Sequence, residues 1–266
     1  DMDKYDIAAV FYDWDPDAVN RLKTLCEKTQ AEIVISSDWR SYNPLEGLKR
    51  LFKIHELDRY VIDVTEQLFG YQRDYEIEDY LIKHPDIRVF AVFDDAYYDE
   101  LNGRFPEQFV YCRRIFDDSC YQKALRILQQ NPPENTVPEP VQMLENIADN
   151  SPAVTKAQFS LDNISVIRRY YQCGTDEFIR RLCSAVGENT HIKNLTVSGL
   201  ARNYPYKERE KNTFVAPIWD ALSRNSSVTC LDLSKNSVKD ISGLISALNT
   251  RNCPLESLSL RDNGLS

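Results

Sequence analysis

Glu32-Ile33-Val34-Ile35-Ser36-Ser37-Asp38-Trp39-Arg40 is the stretch whose reading decides the fold. Three consecutive β-branched apolar residues run straight into two hydroxyls, an acid, an aromatic ring and an arginine. That pattern predicts a buried central strand of a parallel sheet, broken off at its carboxyl end. In open α/β sheets the carboxyl ends of the strands are where ligands sit. Hydroxyls at that edge can donate hydrogen bonds to an anion such as a phosphoryl group. A plainer reading stands beside it, in which Ser36 and Ser37 only cap the helix that follows.

Working outward, residues 16–29 read as a helix with Asp15 as N-cap, Pro16 at the first helical position and Ala18, Val19, Leu22, Leu25 and Cys26 on one stripe. After the strand at 32–36, Leu45, Leu48, Leu51 and Phe52 mark a second amphipathic helix, and Tyr60-Val61-Ile62 a short buried strand. Ile77, Tyr80 and Leu81 predict a helix ending near His84-Pro85. A strand over 88–93 ends in Asp94-Asp95, Phe109-Val110-Tyr111 reads as another strand, and Ala124, Leu125 and Leu128 line a closing helix. Alternating strands and helices imply a parallel sheet with helices on both faces.

Around 131–152 the texture changes. Pro132, Pro133, Pro138, Pro140 and Pro152 punctuate a polar stretch with room for one short helix at 141–148, and this reads as a domain boundary. Beyond it the chain repeats itself. Val154-x-x-Ala157-x-Phe159, Ile192-x-x-Leu195-x-Val197, Val228-x-x-Leu231-x-Leu233 and Leu255-x-x-Leu258-x-Leu260 share one pattern, with middle positions 38, 36 and 27 residues apart (157, 195, 231, 258). Asn236 and Asn263 each follow a middle leucine by five residues, and each strand is followed by a helical stripe. The blocks Leu-Asp-Leu-Ser-Lys-Asn (231–236) and Leu-Ser-Leu-Arg-Asp-Asn (258–263) resemble leucine-rich repeats of the ribonuclease-inhibitor type. The polar run 203–212 reads as an insertion. Because a repeat buries its apolar edge only by stacking on the next, a chain ending at Ser266 just after a fresh strand is expected to be a fragment of a longer solenoid.

Composition narrows the function. The 266 residues carry 42% hydrophobic and 27% charged side chains, ordinary for a globular chain large enough for two modest cores. No run approaches a membrane span, and no secretory signal opens the sequence. A net charge of -9 without a local basic patch makes nucleic acid an unlikely default partner. Seven scattered cysteines without a Cys-x-x-Cys pair imply reduced thiols and a cytoplasmic compartment. The three histidines lie too far apart in sequence to suggest a zinc site or a serine–histidine relay.

Chemistry gathers at two strand ends. Ser36-Ser37 follows one strand, Asp94-Asp95 another, and between them Arg73-Asp74-Tyr75-Glu76-Ile77 sets a cation at a helix start. A hydroxyl, a cation and paired carboxylates are what phosphoryl transfer needs: carboxylates hold Mg²⁺, while the cation and the hydroxyl hold phosphate oxygens. Each piece has a bland alternative. Arg73 can pair with Asp74 or Glu76 on a helix face; Trp39 reads as a core anchor and His55 as a packing residue; Arg40 serves a neighbouring acid as readily as a ligand; Cys112 and Cys120 read as buried thiols.

Ala31–Arg40, Phe52-x-Ile54-His55-x-x-x-x-Tyr60-x-Ile62-Asp63, Arg73-x-x-Glu76-Ile77 and Phe93-Asp94-Asp95 together resemble the haloacid dehalogenase-like (HAD) superfamily, in particular its small bacterial branch with a Ser-Ser-x-Trp-Arg signature. The resemblance covers roughly residues 1–130. It implies a three-layer Rossmann-like α/β domain over 1–131, a proline-rich linker over 132–152 and an α/β leucine-rich-repeat solenoid over 153–266. By the same resemblance Ser36 binds phosphate, Arg73 steadies a phosphoaspartate, and Asp94 and Asp95 help hold Mg²⁺. The family's first motif, an Asp-x-Asp pair giving nucleophile and general acid/base, has two candidates here. Asp1 and Asp3 have the right spacing, but no strand precedes them and Lys4 and Tyr5 replace the usual glycine and threonine or valine. Asp13 and Asp15 follow a plausible strand, 7–11, but Pro16 starts a helix at once and leaves no room for a flap. The resemblance implies a Phe/Trp-Asp-Pro-like step at that helix start, which favours Asp1/Asp3, and a chain with no nucleophile at all is a third reading.

Two functions follow. One is a Mg²⁺-dependent phosphatase or phosphotransferase acting on a phosphorylated substrate, with the repeats choosing a protein target. The other is a catalytically degenerate scaffold whose repeats bind a protein partner. A HAD-like domain fused to such repeats also resembles effectors that intracellular bacteria deliver into a host cell.

Overall fold

The computed structural model describes residues 14–130, 136–205, 207, 213–249 and 253–265. The chain forms two compact units, one built from residues 1–67 and 86–133, the other from 68–85 and 134–266. Both are α/β, and the strand pairings described are all parallel.

In the first unit, α1 (Pro16–Thr29) begins as expected. The Asp15 carboxylate accepts from the Ala18 amide at 2.8 Å, Pro16 fills the first turn, and Gln30 closes the helix in the left-handed region. β1 (Ile33–Ile35) pairs with β2 (Val61–Val64), and α2 (Leu45–Lys53) packs over that pair. Their shared core holds Ile35, Leu48, Leu51, Phe52, Leu57 and Val61. β3 (Val92–Asp94) pairs with β4 (Phe109–Tyr111), with α4 (Tyr98–Arg104) between them in sequence and α5 (Asp118–Leu128) closing over β4 and α1. A second small core holds Leu25, Val110, Cys120, Tyr121, Ala124 and Ile127.

The parallel sheet expected for this region is two parallel pairs among the described residues. The strand expected at 7–11 lies outside those residues. The strand expected at 88–93 is shorter and shifted, to 92–94, because the β3–β4 ladder opens only where the Val92 amide meets the Gln108 carbonyl at 2.9 Å.

The second unit has one continuous core from Val141 to Ala247. α6 (Glu139–Ala148) opens it. Val141 and Ile147 are fully buried and Leu144 nearly so, so this helix is core rather than part of a linker. β5 (Lys156–Phe159), β6 (Asn194–Val197), β7 (Cys230–Asp232) and β8 (Ser257–Ser259) make one parallel sheet in sequence order. Its register sets Ala157, Leu195, Leu231 and Leu258 side by side, the four middle positions of the sequence pattern. α7 (Leu161–Tyr171), α8 (Thr175–Glu188), α9 (Ala216–Arg224) and α10 (Ser242–Leu248) pack behind it.

Two asparagine ladders tie the repeats. Asn225 Nδ2 donates to the Val186 and Asn189 carbonyls at 2.6 and 2.8 Å, and its Oδ1 accepts from the Ser227 and Val228 amides. Asn236 donates to the Val197 and Leu233 carbonyls at 2.6 and 3.0 Å and accepts from the Leu200 amide at 2.7 Å. Asn263 repeats that role one unit on, accepting from the Asn236 amide at 2.7 Å. Each amide satisfies backbone groups that the turns would leave orphaned in the core.

α3 (Arg73–Lys83) belongs to this unit, not to the domain expected over 1–131. The cause is a buried ion pair, Glu78 on α3 with Arg168 on α7, at 0% and 1% side-chain exposure. Arg168 also donates to the Tyr75 hydroxyl and the Asn203 side chain at 3.2 Å each. A charge so deeply buried must stay paired, and that requirement fixes α3 against α7.

All seven cysteines are free thiols. Burial pushes the Cys26 and Cys183 thiols up to about 11 and about 12. Among the described residues no helix is long and apolar enough to cross a membrane.

Candidate active site at the strand ends of the first unit

β1 stops at Ile35, and the hydroxyls that follow divide the work. Ser37 Oγ accepts from the Trp39 amide at 3.3 Å and caps a short 3₁₀ turn, Asp38–Ser41. The capping reading thus holds for Ser37. Ser36 is half-buried and stands where β1 ends. Arg40 folds back over the turn: its Nη1 donates to the Ser36 carbonyl and, at 2.7 Å, to the Ser37 carbonyl. Its guanidinium braces the backbone that carries Ser36. Asn43 Nδ2 adds a bond to the Trp39 carbonyl at 3.1 Å.

Trp39 anchors this turn to the core. Its ring lies 5.9 Å from Trp14, and Trp14 stacks on His55 at 4.4 Å and meets Phe52 edge-on at 5.1 Å. Trp39 and His55 are therefore packing residues, as their residue types predicted.

The neighbouring strand extends the edge. The Thr65 amide donates to the Ile35 carbonyl at 3.0 Å, so the β1–β2 ladder continues one step past Val64 and draws Thr65 alongside Ser36. Sequence reasoning passed over Thr65. A weak signal was present, since Val61-Ile62-Asp63-Val64-Thr65, like Ile33–Ser36, is a β-branched segment that ends in a hydroxyl, though Asp63 interrupts it.

On the other pair, Asp94 is the last residue of β3 and is 8% exposed, while Asp95 is exposed. Asp94 Oδ1 accepts from the Ala96 amide at 2.8 Å, which folds the chain sharply after the strand, and Tyr97 follows in the left-handed region at φ 49°. The Asp94 carbonyl accepts from the Cys112 amide at 2.8 Å, locking it to β4. Hard carboxylate oxygens at a strand end suit Mg²⁺. Among the described residues no three His, Cys, Asp or Glu side chains gather closely enough for a metal on their own.

Of the remaining candidates, Asp1, Asp3 and Asp13 lie outside the described residues. Asp15 is committed to capping α1. Arg73, half-buried, is the first residue of α3 and so belongs to the second unit. Cys112 and Cys120 lie together beneath β4. Burial raises both thiols, so neither is a ready nucleophile.

A cavity of about 650 Å³ opens in the second unit, lined by two stacked aromatic pairs, Tyr71–Tyr75 and Tyr204–Phe214, and by Thr175, Asp176 and Asn203. Its groups are already bonded to one another: the Tyr204 hydroxyl donates to Asp176 at 2.9 Å, and Thr175 donates to the Asn203 carbonyl at 3.3 Å. Among the described residues that line it there is no pair of carboxylates.

No curated protein and no solved structure matches the chain. Residues 1–115 match the family model described as a HAD domain in Swiss Army Knife RNA repair proteins, and this supports a HAD domain over that part of the chain.

Proposed function

We propose that the first unit is a Mg²⁺-dependent phosphohydrolase of the HAD type, working through a phosphoaspartate at the carboxyl ends of β1 and β3. The observation that carries the proposal is Asp94: a carboxylate held at the end of a parallel strand, buried, and oriented by the Ala96 amide. The match over residues 1–115 supports the same reading and includes both candidate aspartate pairs.

In this scheme Asp1 attacks phosphorus and Asp3 protonates the leaving oxygen, then activates the water that hydrolyses the acyl phosphate. Asp13 and Asp15 are the rival pair. Asp15 is the weaker candidate because its carboxylate already serves the α1 amides. Ser36 donates to a phosphoryl oxygen, and Asp94 and Asp95 are the carboxylates that would hold Mg²⁺ beside the nucleophile. The ion supplies charge neutralisation at the phosphoryl oxygens. The repeating unit is read as a leucine-rich-repeat module, and its open sheet face as the surface that engages a protein target.

The likeness to HAD domains of RNA repair proteins makes a terminal phosphate on RNA a natural first substrate to assay, although the net charge of -9 disfavours a long polynucleotide. The test is phosphate release from an aryl phosphate and from a phosphorylated oligonucleotide, with and without Mg²⁺. Release should require the metal and vanish in Asp1→Asn and Asp94→Asn. Loss in Asp13→Asn with Asp1→Asn unaffected would move the nucleophile to the rival pair. No release from any phosphomonoester with metal bound would leave the degenerate scaffold as the better account. In that case capture of a protein partner should survive Asp94→Asn and be lost on deletion of 153–266.

A further inference from the structure

Thr65 carries a buried hydroxyl with no hydrogen-bond partner. It is 4% exposed, and its Oγ1 is among the few buried side-chain atoms left unbonded. Buried polar atoms are almost always paired, so an orphan needs an explanation. Valine has nearly the same shape as threonine and carries no hydroxyl to desolvate. The hydroxyl is costly to the empty fold.

Its place in the sheet suggests its use. Ile35 and Val64 are register partners on adjacent parallel strands, and the Thr65 amide bonds the Ile35 carbonyl at 3.0 Å. The next residues along, Ser36 and Thr65, are therefore neighbours. Side chains alternate along parallel strands, so these two lie on the sheet face opposite Ile35 and Val64. One hydroxyl at a strand end can be a cap, and Ser37 is one. Two on adjacent strands, with Ser37 already doing the capping, make a pair of donors at the edge where the phosphoryl group is proposed to lie.

Resting on that reading of the edge, we infer that Thr65 is a second phosphate-binding residue, its hydroxyl donating to the same phosphoryl group as Ser36. Thr65 takes no part in bond making. It supplies a donor that lacks a partner until the anion arrives, which favours binding the phosphoryl group over an uncharged group of the same shape.

The test compares wild type, Thr65→Val, Thr65→Ser and Ser36→Ala by calorimetric titration with inorganic phosphate in the presence of Mg²⁺, and by thermal melts without phosphate. Thr65→Val should bind phosphate about tenfold more weakly, the loss expected for one hydrogen bond to a charged group, and Thr65→Ser should stay close to wild type. Thr65→Val should also melt at or above wild type, since it removes an unbonded hydroxyl. Unchanged phosphate affinity in Thr65→Val, with Ser36→Ala weakened, overturns the role of Thr65 and leaves the edge reading intact. A lower melting point in Thr65→Val means the hydroxyl is bonded within the fold and also overturns the role. Should Thr65→Val not fold, Thr65→Ser decides, because weakened phosphate binding there contradicts a donor role that serine preserves. Absence of phosphate binding and of turnover in wild type defeats both readings together.

Discussion

The repeat asparagines of the second unit and the strand-end threonine of the first meet burial in different ways. In the repeats, Asn189, Asn225, Asn236 and Asn263 are each 5% exposed or less, and each amide bonds backbone groups of its own and neighbouring turns. At the strand ends of the first unit, Thr65 is as deeply buried and its hydroxyl bonds nothing. The core differs as well: one continuous body in the second unit, two small clusters in the first. A stacked repeat solves its hydrogen-bonding problem once and copies the solution, so polar burial there serves stability. On the proposed reading, the Thr65 hydroxyl stays unsatisfied in the empty fold because its partner is a ligand.

The largest expected break in the second unit is at its ion pair. Arg168→Ala should cost about 3–5 kcal/mol, because Glu78 is then left charged in the core. Replacing both by Met and Leu should recover much of that loss, as denaturant midpoints would show; a fully additive double mutant would contradict the account. Next comes Asn236→Ala, which strips partners from the Val197, Leu200 and Leu233 backbone groups and should cost about 2–3 kcal/mol in the same measurement.

Smaller effects probe the first unit. Asp15→Ala should lose about 1 kcal/mol with its cap, while Asp15→Asn keeps the cap and, if Asp1 is the nucleophile, keeps phosphate release as well. A fall in turnover in Asp15→Asn without loss of stability would revive the rival pair. The smallest effect is a pH dependence in the repeats. Burial opposes the charge on Asp232, but hydrogen bonds from Ser234 and Ser259 outweigh it and hold the carboxyl below its ordinary range. A depressed carboxyl contributes stability above its unfolded pKa and loses it as pH falls through the folded value. Wild type should therefore lose slightly more stability than Asp232→Asn between about pH 5 and about pH 3, by less than about 1 kcal/mol given partial exposure. Equal slopes would show that those hydrogen bonds carry no net weight.

Local signals were legible. Asp15, Pro16 and the apolar stripe marked α1 at both ends, and the 38-, 36- and 27-residue intervals gave the sheet register of the repeats before any coordinates. Nonlocal facts were not. Nothing near Arg73 shows that Glu78, five residues on, meets Arg168, so the sequence order groups α3 with the first unit while its contacts group it with the second. The prolines around α6 suggested a linker because Pro140 also suits a helix's first turn, and only packing shows Val141, Leu144 and Ile147 inside the core. At the site, the capping and phosphate readings of the two serines could not be separated by residue type. The Trp39 amide shows that Ser37 is the cap.

The proposal that the first unit is a metal-dependent phosphoryl site rests finally on where a divalent ion goes. Crystals soaked with Mn²⁺ as a stand-in for Mg²⁺ and read by anomalous scattering should show an ion beside Asp94, with an aspartate from the first motif as a further ligand. An ion-free Asp94 at saturating Mn²⁺, or an ion held only in the repeating unit, would contradict the account.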